Sequence, residues 1–442
     1  MQKGENIPLN SVMLDKSKCM GCTTCMKHCP TEAIRVRNGR AHILAERCID
    51  CGNCIRYCPH KAKKAETDPF ESINAFKYTV ALPAPSLYGQ FHNLDDVNIV
   101  LAALKKIGFD DVYEVSRAAE QISDVTRKRM ARGNLPRPYI SSACPAVVRL
   151  IRLRFPDLIP NIAEQAQPVE LAAATARKEA VEKTGLKPDE IGVFFITPCA
   201  AKVTTAHESD GVIDGAISMS EVYKRLLPAM KTVEDDYEQL SSSGIVGIGW
   251  SRSGGEAAAL LDEGHLAVDG IDNIIKILED VEDGMLPEVS FLELNACTQG
   301  CVGGCLTVEN AYVAKTRINH LMRYLPVSRN RADEETEKLA VSDRLHERLD
   351  VWQLDDDRAV AMEKYQRIDK LTKELPGLDC GSCGAPSCRA LAEDVVLGFA
   401  SEEDCIFHIH EKMQYLTGAQ NAEAYLPPPF RKEGDKGRKE TL

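Results

Sequence analysis

Cysteine is the feature that most restricts what this chain can be, because 17 of its 442 residues are cysteine and most lie in closely spaced groups. Eight fall between residues 19 and 58, and four fall between residues 380 and 405. The first residues contain neither an apolar signal stretch nor a twin-arginine pair, so we expect a cytoplasmic protein. In that reducing compartment, grouped cysteines are more often metal ligands than disulfides.

The amino-terminal cysteines form the pattern C-x2-C-x2-C-x3-C-P twice. This is the spacing of bacterial two-cluster ferredoxins, in which the fourth cysteine of each run binds the other cluster. The pattern therefore predicts two 4Fe-4S clusters, one bound by Cys19, Cys22, Cys25 and Cys58 and the other by Cys48, Cys51, Cys54 and Cys29. A pair of zinc knuckles is the alternative, although zinc sites usually show one set of four ligands with a longer gap between pairs.

The overall composition is that of a folded, acidic protein. Hydrophobic residues make up 44% and charged residues 27%, which is close to the globular average. The net charge is -12, so there is no general basic field to attract nucleic acid or anionic lipid. No apolar run approaches the 18 or so residues of a membrane span. We therefore expect neither nucleic acid nor a membrane as a partner.

The middle of the chain alternates apolar strand-like runs with helix-length segments such as 169–183, which indicates an α/β fold. Apolar runs of this kind suit strands buried on both faces of a sheet. The predicted strands are FKYTVALPA (76–84), DVYEVS (111–116), YISSA (139–143), IGVFFIT (191–197), GIVGIGW (244–250) and VSFLEL (289–294).

Three loop motifs follow predicted strands and supply four further cysteines: SSACP (141–145), TPCAAK (197–202) and LELNACTQGC (292–301). With these motifs, the region from about Val80 to Leu325 resembles the catalytic domain of FeFe hydrogenases, whose signatures read TSCCP, MPCxxKxxE and ExMACxxGC. The resemblance implies a two-lobed catalytic domain with the site between its lobes.

The same resemblance implies an H-cluster, in which a 4Fe-4S cluster is joined to a two-iron subcluster bearing CO, cyanide and an azadithiolate. Its ligands would be Cys144, Cys199, Cys297 and Cys301, with Cys301 bridging to the two irons. Lys202 matches the family lysine that hydrogen-bonds a cyanide ligand. Ala84, Pro85 and Ser86 match the short family segment beside the dithiolate.

The chain departs from the family pattern around this site. Ala143 replaces the cysteine that relays protons, and an alanine cannot carry a proton. Neighbouring family residues are also changed, at Thr197, Thr205, Asn295 and Val169. Residues around metal ligands tune potential and proton access, so we expect slow turnover. The Cys-to-Ala change resembles family members assigned sensory roles, which implies a hydrogen-sensing function.

A different acid is needed if protons still reach the site. Glu256, in SRSGGEAAALL, and Glu208 are the two candidates. The alternative for each is a surface acid that compensates the dipole at a helix start.

The four carboxy-terminal cysteines form C-x2-C-x4-C-x16-C and comprise Cys380, Cys383, Cys388 and Cys405. This spacing resembles the small 4Fe-4S domain of corrinoid-linked and sensory iron-sulfur proteins, with the helix RALAEDVVLGF over the cluster. Glycines between the cysteines let the backbone approach a cluster closely. A zinc ribbon is the alternative. The resemblance implies a third accessory 4Fe-4S cluster.

These features predict five segments: a ferredoxin-like α+β domain (1–75), the H-cluster domain (76–327), a charged helical connector (328–374), a small 4Fe-4S domain (375–425) and a disordered tail (426–442).

The predicted function is H2 oxidation and proton reduction at the H-cluster, slow and sensory, with electrons relayed through the accessory clusters. A redox partner, either a ferredoxin or a signalling protein, and hydrogenase maturases are the implied partners. The alternatives are an iron-sulfur carrier or an electron-transfer adaptor that lacks the two-iron subcluster.

Overall fold

A computed structural model describes residues 10–209, 211–233, 237–341 and 346–417 of the chain. It divides into two compact units, each built from two stretches of sequence. The larger unit comprises Met1–Lys18 and Leu44–Val351, and the smaller unit comprises Cys19–Ile43 and Trp352–Leu442, each in its described parts. The segment 1–75 therefore contributes to both units, whereas the segment bounds given above remain predictions.

Strands and helices alternate along most of the described chain. The strands are β1 (Val12–Leu14), β2 (Ile34–Arg37), β3 (Arg40–Ile43), β4 (Lys63–Ala65), β5 (Tyr78–Pro83), β6 (Asp111–Val112), β7 (Tyr139–Ile140), β8 (Ile191–Thr197), β9 (Gly215–Ser218), β10 (His265–Asp269) and β11 (Phe291–Asn295). The α-helices are α1 (Thr24–Lys27), α2 (Asn53–Tyr57), α3 (Val97–Lys106), α4 (Val115–Arg132), α5 (Pro145–Arg154), α6 (Pro168–Thr184), α7 (Ala200–His207), α8 (Met219–Met230), α9 (Ile245–Gly249), α10 (Gly255–Ala259), α11 (Ile271–Glu282), α12 (Ala311–Leu321), α13 (Glu334–Leu339), α14 (Arg358–Glu374), α15 (Cys388–Val396) and α16 (Ile406–Thr417).

Two parallel sheets form the centre of the larger unit. The four-stranded sheet has the order β6-β5-β8-β9, and the three-stranded sheet has the order β10-β11-β7. Every residue of β8 is buried, as the apolar run IGVFFIT predicts for a strand covered on both faces. The α/β class is thereby confirmed, and the strands expected near 76–84, 191–197 and 289–294 are present.

Three of the predicted strands are wrong in whole or in part, and one of them, YISSA, is a strand only over Tyr139–Ile140. The run GIVGIGW forms helix α9 instead of a strand. The prediction failed because apolar residues that are buried on all sides show no periodicity that distinguishes a helix from a strand. The packing of this helix requires glycine at position 247, since a Cβ atom there would lie 2.1 Å from the backbone oxygen of Ser116. The run DVYEVS is a strand only over Asp111–Val112, after which α4 begins at Val115.

The smaller unit contains its own sheet and core. Strands β2 and β3 form an antiparallel hairpin, with Val36 opposite Ala41. Helices α14 and α15 pack together through a small apolar cluster that includes Leu371, Leu391 and Cys405. In the larger unit the other amino-terminal pair, β1 and β4, is also antiparallel.

The predicted connector and tail are only partly covered by the structure. Within 328–374, α13 and α14 are helical, and residues 346–357 between them are irregular. Residues 342–345 and the predicted tail 426–442 lie outside the described residues. None of the helices that are described has the length and apolar character needed to cross a bilayer.

Candidate active site

The four central cysteines lie in loops at the carboxyl ends of strands from both sheets. Cys144 follows β7 and immediately precedes α5, and Cys199 follows β8 and immediately precedes α7. Cys297 and Cys301 lie in the loop after β11. Strands β7 and β11 are parallel neighbours, with Tyr139 opposite Phe291. The fold therefore brings together cysteines that are far apart in sequence, in the crevice where α/β folds commonly bind ligands.

Close backbone packing joins the loops that carry Cys199 and Cys301. The Leu306 N–H donates to the Pro198 carbonyl oxygen at 2.9 Å. A Cβ atom added at Gly304 would lie 2.1 Å from the same oxygen, so no other residue fits without moving one loop. The glycine at 304 thus sets the spacing between two of the cysteine loops.

A second close contact joins the Cys301 loop to the turn between α9 and α10. The Val302 N–H donates to the Ser251 carbonyl oxygen at 2.9 Å, and the Ser253 N–H donates to the Gln299 carbonyl oxygen at 3.0 Å. Gly300 has a φ of +83°, and a Cβ atom there would lie 2.4 Å from the Ser253 nitrogen. The glycine-rich run after residue 244 therefore forms one wall of the site.

Lys202 lies among the four cysteines. Its Nζ atom donates to the carbonyl oxygen of Ala143 at 2.9 Å. Burial acts to lower the pKa of Lys202, but the four neighbouring thiols, of which Cys301 acts most strongly, raise the pKa overall. Burial raises the pKa of Cys301 itself to about 11. The lysine thus supplies a positive charge to a buried group of sulfur ligands.

A cavity next to Lys202 gathers most of the residues singled out from the sequence. Ala143 and Cys301 are part of its lining. The rest of the lining includes Ala84, Pro85, Ser86, Pro168, Val169, Trp250, Ser251, Glu256, Glu293 and Asn295.

Two hydroxyl groups in the lining have no hydrogen-bond partner. The Oγ atoms of Ser86 and Ser251 are both buried and unpaired, and both residues are fully shielded from solvent. A buried hydroxyl without a partner costs free energy, so each of these groups is available to a bound ligand, ion or water. The cavity therefore suits a group that accepts hydrogen bonds.

A pair of buried carboxyl groups lies on the same cavity. The Ser141 hydroxyl donates to Glu256 Oε2 at 2.6 Å and accepts from the Ala143 N–H at 3.1 Å. Burial first, and then the negative charge of Glu293, raise the pKa of Glu256 to about 8. Glu256 is therefore able to hold a proton near neutral pH.

Glu293 is the partner of Glu256, and the sequence analysis did not select it. It accepts hydrogen bonds from the Gly254 and Ala257 N–H groups at 2.9 and 2.8 Å, and burial raises its pKa. The sequence did contain a signal for Glu293, because it is the single acidic residue within the apolar strand VSFLEL. Buried acids are rare unless they are paired or functional.

Glu208, the other acid selected from the sequence, lies elsewhere. It is about half exposed and forms an ion pair with Arg149 at 3.1 Å. It lines a separate polar cavity with Arg152 and Thr205. Glu208 therefore does not face the cavity that contains Lys202.

The second cysteine run packs against the Cys301 loop. A Cβ atom at Gly52 would lie 2.6 Å from Cys305 Sγ, and Arg56 Nη2 donates to the Gly303 carbonyl oxygen. Cys51 packs in the same apolar cluster as Cys144. A cluster held by the second run would thus lie next to the central site.

The smaller unit contains the four carboxy-terminal cysteines and the first amino-terminal run, Cys19, Cys22, Cys25 and Cys29. Cys58, the predicted fourth ligand of the first cluster, belongs to the larger unit. The exchange of Cys29 and Cys58 between runs remains a prediction. Among the described residues, no group of three or more His, Cys, Asp or Glu side chains is arranged to hold a single metal ion.

Family models match three parts of the chain. Residues 77–262 match the C-terminal domain of the iron-only hydrogenase large subunit. Residues 11–59 match a 4Fe-4S dicluster domain, and residues 375–407 match an Fe-S cluster domain.

Curated relatives and solved structures are similar to parts of the chain. The chain is 29% identical to the periplasmic Fe hydrogenase large subunit of Nitratidesulfovibrio vulgaris over 219 residues, which covers 45% of this chain and 52% of the relative. It is 25% identical to iron hydrogenase 1 of Clostridium pasteurianum over 371 residues, which covers 66% of this chain and 64% of the relative. The matches thus span between about half and two thirds of these relatives. An FeFe-hydrogenase structure from Chlamydomonas reinhardtii aligns with 57% of this chain and 86% of its own, at 16% identity and a TM-score of 0.44.

Proposed function

Because this chain belongs to the iron-only hydrogenase family, we propose that it interconverts H2 with protons and electrons at an H-cluster, slowly and in a hydrogen-sensing role. The observation that carries the proposal is the cavity in which Cys301 and Lys202 face the unpaired hydroxyls of Ser86 and Ser251. Such a lining has no evident use in a protein that binds only a cubane.

The residues present fit an H-cluster. Cys144, Cys199, Cys297 and Cys301 would hold the 4Fe-4S part, and Cys301 also lines the cavity for the two-iron part. When bound, the two-iron group supplies the redox-active metals and the amine at which H2 and protons interconvert. Lys202 would donate to a cyanide ligand as a charge-assisted hydrogen-bond donor.

The other cavity residues orient the group and exclude water. The Ser86 and Ser251 hydroxyls can donate hydrogen bonds to ligand atoms that lack other partners. The apolar parts of Pro85, Val169 and Trp250 complete the lining. A dry cavity strengthens every electrostatic contact inside it.

Glu256 is the residue we assign to proton transfer. Its carboxyl group holds a proton below about pH 8 and is linked through the Ser141 hydroxyl to the backbone of Ala143. Glu293 lines the same cavity, and burial raises its pKa as well, so the two carboxyl groups together can hold a proton there.

Slow turnover follows from Ala143 and from Thr197, Asn295 and Val169, the changed residues around the site. The side chain of Ala143 cannot accept a proton, so transfer must use the longer route through Glu256. A sensor requires occupancy and a redox change rather than speed. We therefore propose that the chain reports hydrogen to a separate redox or signalling protein in the cytoplasm, after maturases install the cofactor.

The test is anaerobic reconstitution of the clusters, followed by addition of a synthetic azadithiolate two-iron complex. Infrared spectra recorded with and without H2 should show bound CO and cyanide bands that shift under H2. Turnover should accompany the shift at a rate far below that of a bulk hydrogenase. Absence of bound bands in protein with its full iron content would favour the carrier or adaptor instead.

A further inference from the structure

The smaller unit brings together cysteines from the two ends of the sequence. We propose that a cluster held by the carboxy-terminal cysteines exchanges electrons directly with the cluster held by Cys19, Cys22 and Cys25. The proposal rests on iron-sulfur binding at these two sites and not on hydrogen turnover.

Backbone contact joins the two cysteine regions at strand β2. The Val36 N–H donates to the Gly384 carbonyl oxygen at 2.8 Å. Gly384 has a φ of +81°, and a Cβ atom there would lie 1.9 Å from the Val36 oxygen. Gly384 follows Cys383 directly, so the loop of the carboxy-terminal site rests on the hairpin beside the amino-terminal one.

A second contact lies nearer to the ligands of both sites. Met26 is fully buried and follows Cys25 in helix α1. Its Cε atom lies 3.0 Å from the position of a Cβ at Gly381, which stands between Cys380 and Cys383. The side chain of the residue that follows a ligand of one site is thus packed against the backbone between two ligands of the other.

Arginine side chains cross the same boundary. Arg37 donates to the Cys383 carbonyl oxygen at 2.5 Å and to Asp394 at 2.8 Å. Arg35 donates to the same carboxylate at 2.7 Å, and both Arg35 and Asp394 are buried. Breaking a buried ion pair is strongly destabilising, so this contact holds the two regions in a fixed arrangement.

Both sites have surroundings that suit iron-sulfur clusters. The Ala41 N–H donates to Cys19 Sγ at 3.4 Å, and the Arg37 guanidinium donates to the backbone of Cys383. Hydrogen bonds to sulfur and nearby charge tune cluster potentials. The positive charge of Arg37, close to Cys383, would stabilise the reduced state of the carboxy-terminal cluster.

The proposed step moves one electron and breaks no bond. A reduced carboxy-terminal cluster loses one electron, an oxidised neighbouring cluster gains it, and no proton is required. An external one-electron donor or acceptor completes the balance. Short separation favours this transfer because electron tunnelling falls steeply with distance.

The experiment uses the full chain with its iron-sulfur clusters reconstituted and without the two-iron complex, reduced by dithionite. We expect electron paramagnetic resonance to show spin coupling between clusters, part of which is lost in the variant Cys383→Ser with Cys388→Ser. The difference between the two spectra isolates the carboxy-terminal contribution. Unchanged coupling in a variant that has lost one cluster's iron would overturn the proposal.

Arg37→Gln tests the same contact with every cysteine kept. It should shift the midpoint potential of the carboxy-terminal cluster to a lower value and weaken the coupling. Arg367→Gln is the control, because it removes the same charge from an exposed position on α14. It should change neither the midpoint potential nor the coupling. Equal behaviour of the two variants would contradict the proposal, whatever the hydrogen assay shows.

Discussion

The central cysteine site and the cysteine sites of the smaller unit use the same ligand in different surroundings. At the centre, Glu256 and Glu293 are buried, and among the described residues neither forms an ion pair with a lysine or arginine. In the smaller unit the buried acid Asp394 is paired with Arg35 and Arg37. Unpaired buried acids can hold and release protons, whereas a paired acid only stabilises structure.

The comparison separates two tasks. Proton-coupled chemistry needs a cavity with groups that change protonation, and the central site has a cavity lined by Glu256 and Glu293. Electron transfer needs only sulfur ligands, N–H donors and fixed spacing, and the smaller unit provides these. Each prediction below therefore alters one region and uses the other as the reference.

The largest effect is expected from Cys301→Ala. Removing the cysteine that lines the cavity should abolish the bound CO and cyanide bands in the infrared spectrum, because no other described cysteine lines that cavity. The paramagnetic signals of clusters in the smaller unit should persist. Bands retained in this variant would show that the two-iron group binds elsewhere.

Glu256→Gln should lower the rate of H2 turnover by about 100-fold, the lower range for loss of a general acid or base. The rate of H2 evolution in the parent protein should fall above about pH 8, where Glu256 loses its proton, and this decline should be absent in the variant. Rates measured across a pH series provide the check.

Glu208→Gln is the matched control, since it makes the same change at an exposed ion pair, and its rate should stay near that of the parent. Stability gives a second readout. Because the pKa of Glu256 rises from 4.5 to about 8 on folding, the folded chain holds an extra proton in that window, and its stability falls as pH rises through it. A Glu256→Gln variant that keeps this decline would contradict the assignment.

Gly304→Ala should destabilise the larger unit by about 1 to 3 kcal/mol, the usual cost of overpacking, because its Cβ would meet the Pro198 oxygen at 2.1 Å. Gly249→Ala is the control, since the nearest atom to its Cβ would be at 3.8 Å. Chemical denaturation measures both. Equal free energies of unfolding would show that the two cysteine loops are not held by this contact.

The smallest effect is expected from Ala143→Cys, which returns a thiol to the cavity wall. We expect turnover to rise about tenfold, within the range seen when residues around a metal site change. The Lys202 bond to the backbone at 143 needs no side chain there, so the site itself should persist. An unchanged rate would show that the Glu256 route already delivers protons faster than the chemistry uses them.

The sequence predicted the elements whose signals are local. Strand β8 follows from the apolar run IGVFFIT, and helix α6 from a helix-length segment between predicted strands. The strand predicted for the glycine-rich run at 244–250 was wrong because its apolar residues fit a buried helix as well as a buried strand. Its helix depends on contact with α4, which lies far away in sequence.

The candidate site shows the same limit. Motif spacing located the four central cysteines and Lys202, whereas it could not separate Glu256 from Glu208. The difference between them is burial, which depends on how the whole sheet packs. The contact between Arg37 and Cys383 was also beyond sequence reasoning, because it joins residues separated by 346 positions.

Because the smaller unit is built from two distant stretches of sequence, its parts are synthesised at different times. Its first stretch, Cys19–Ile43, leaves the ribosome about 300 residues before its second stretch begins at Trp352. At typical elongation rates this delay is roughly 15 to 60 s, during which the larger unit can already fold. The first cysteine run must therefore wait, without its final neighbours, until the second stretch has been synthesised. The contacts that Gly384 and Asp394 make with the hairpin are therefore among the last to form in the smaller unit.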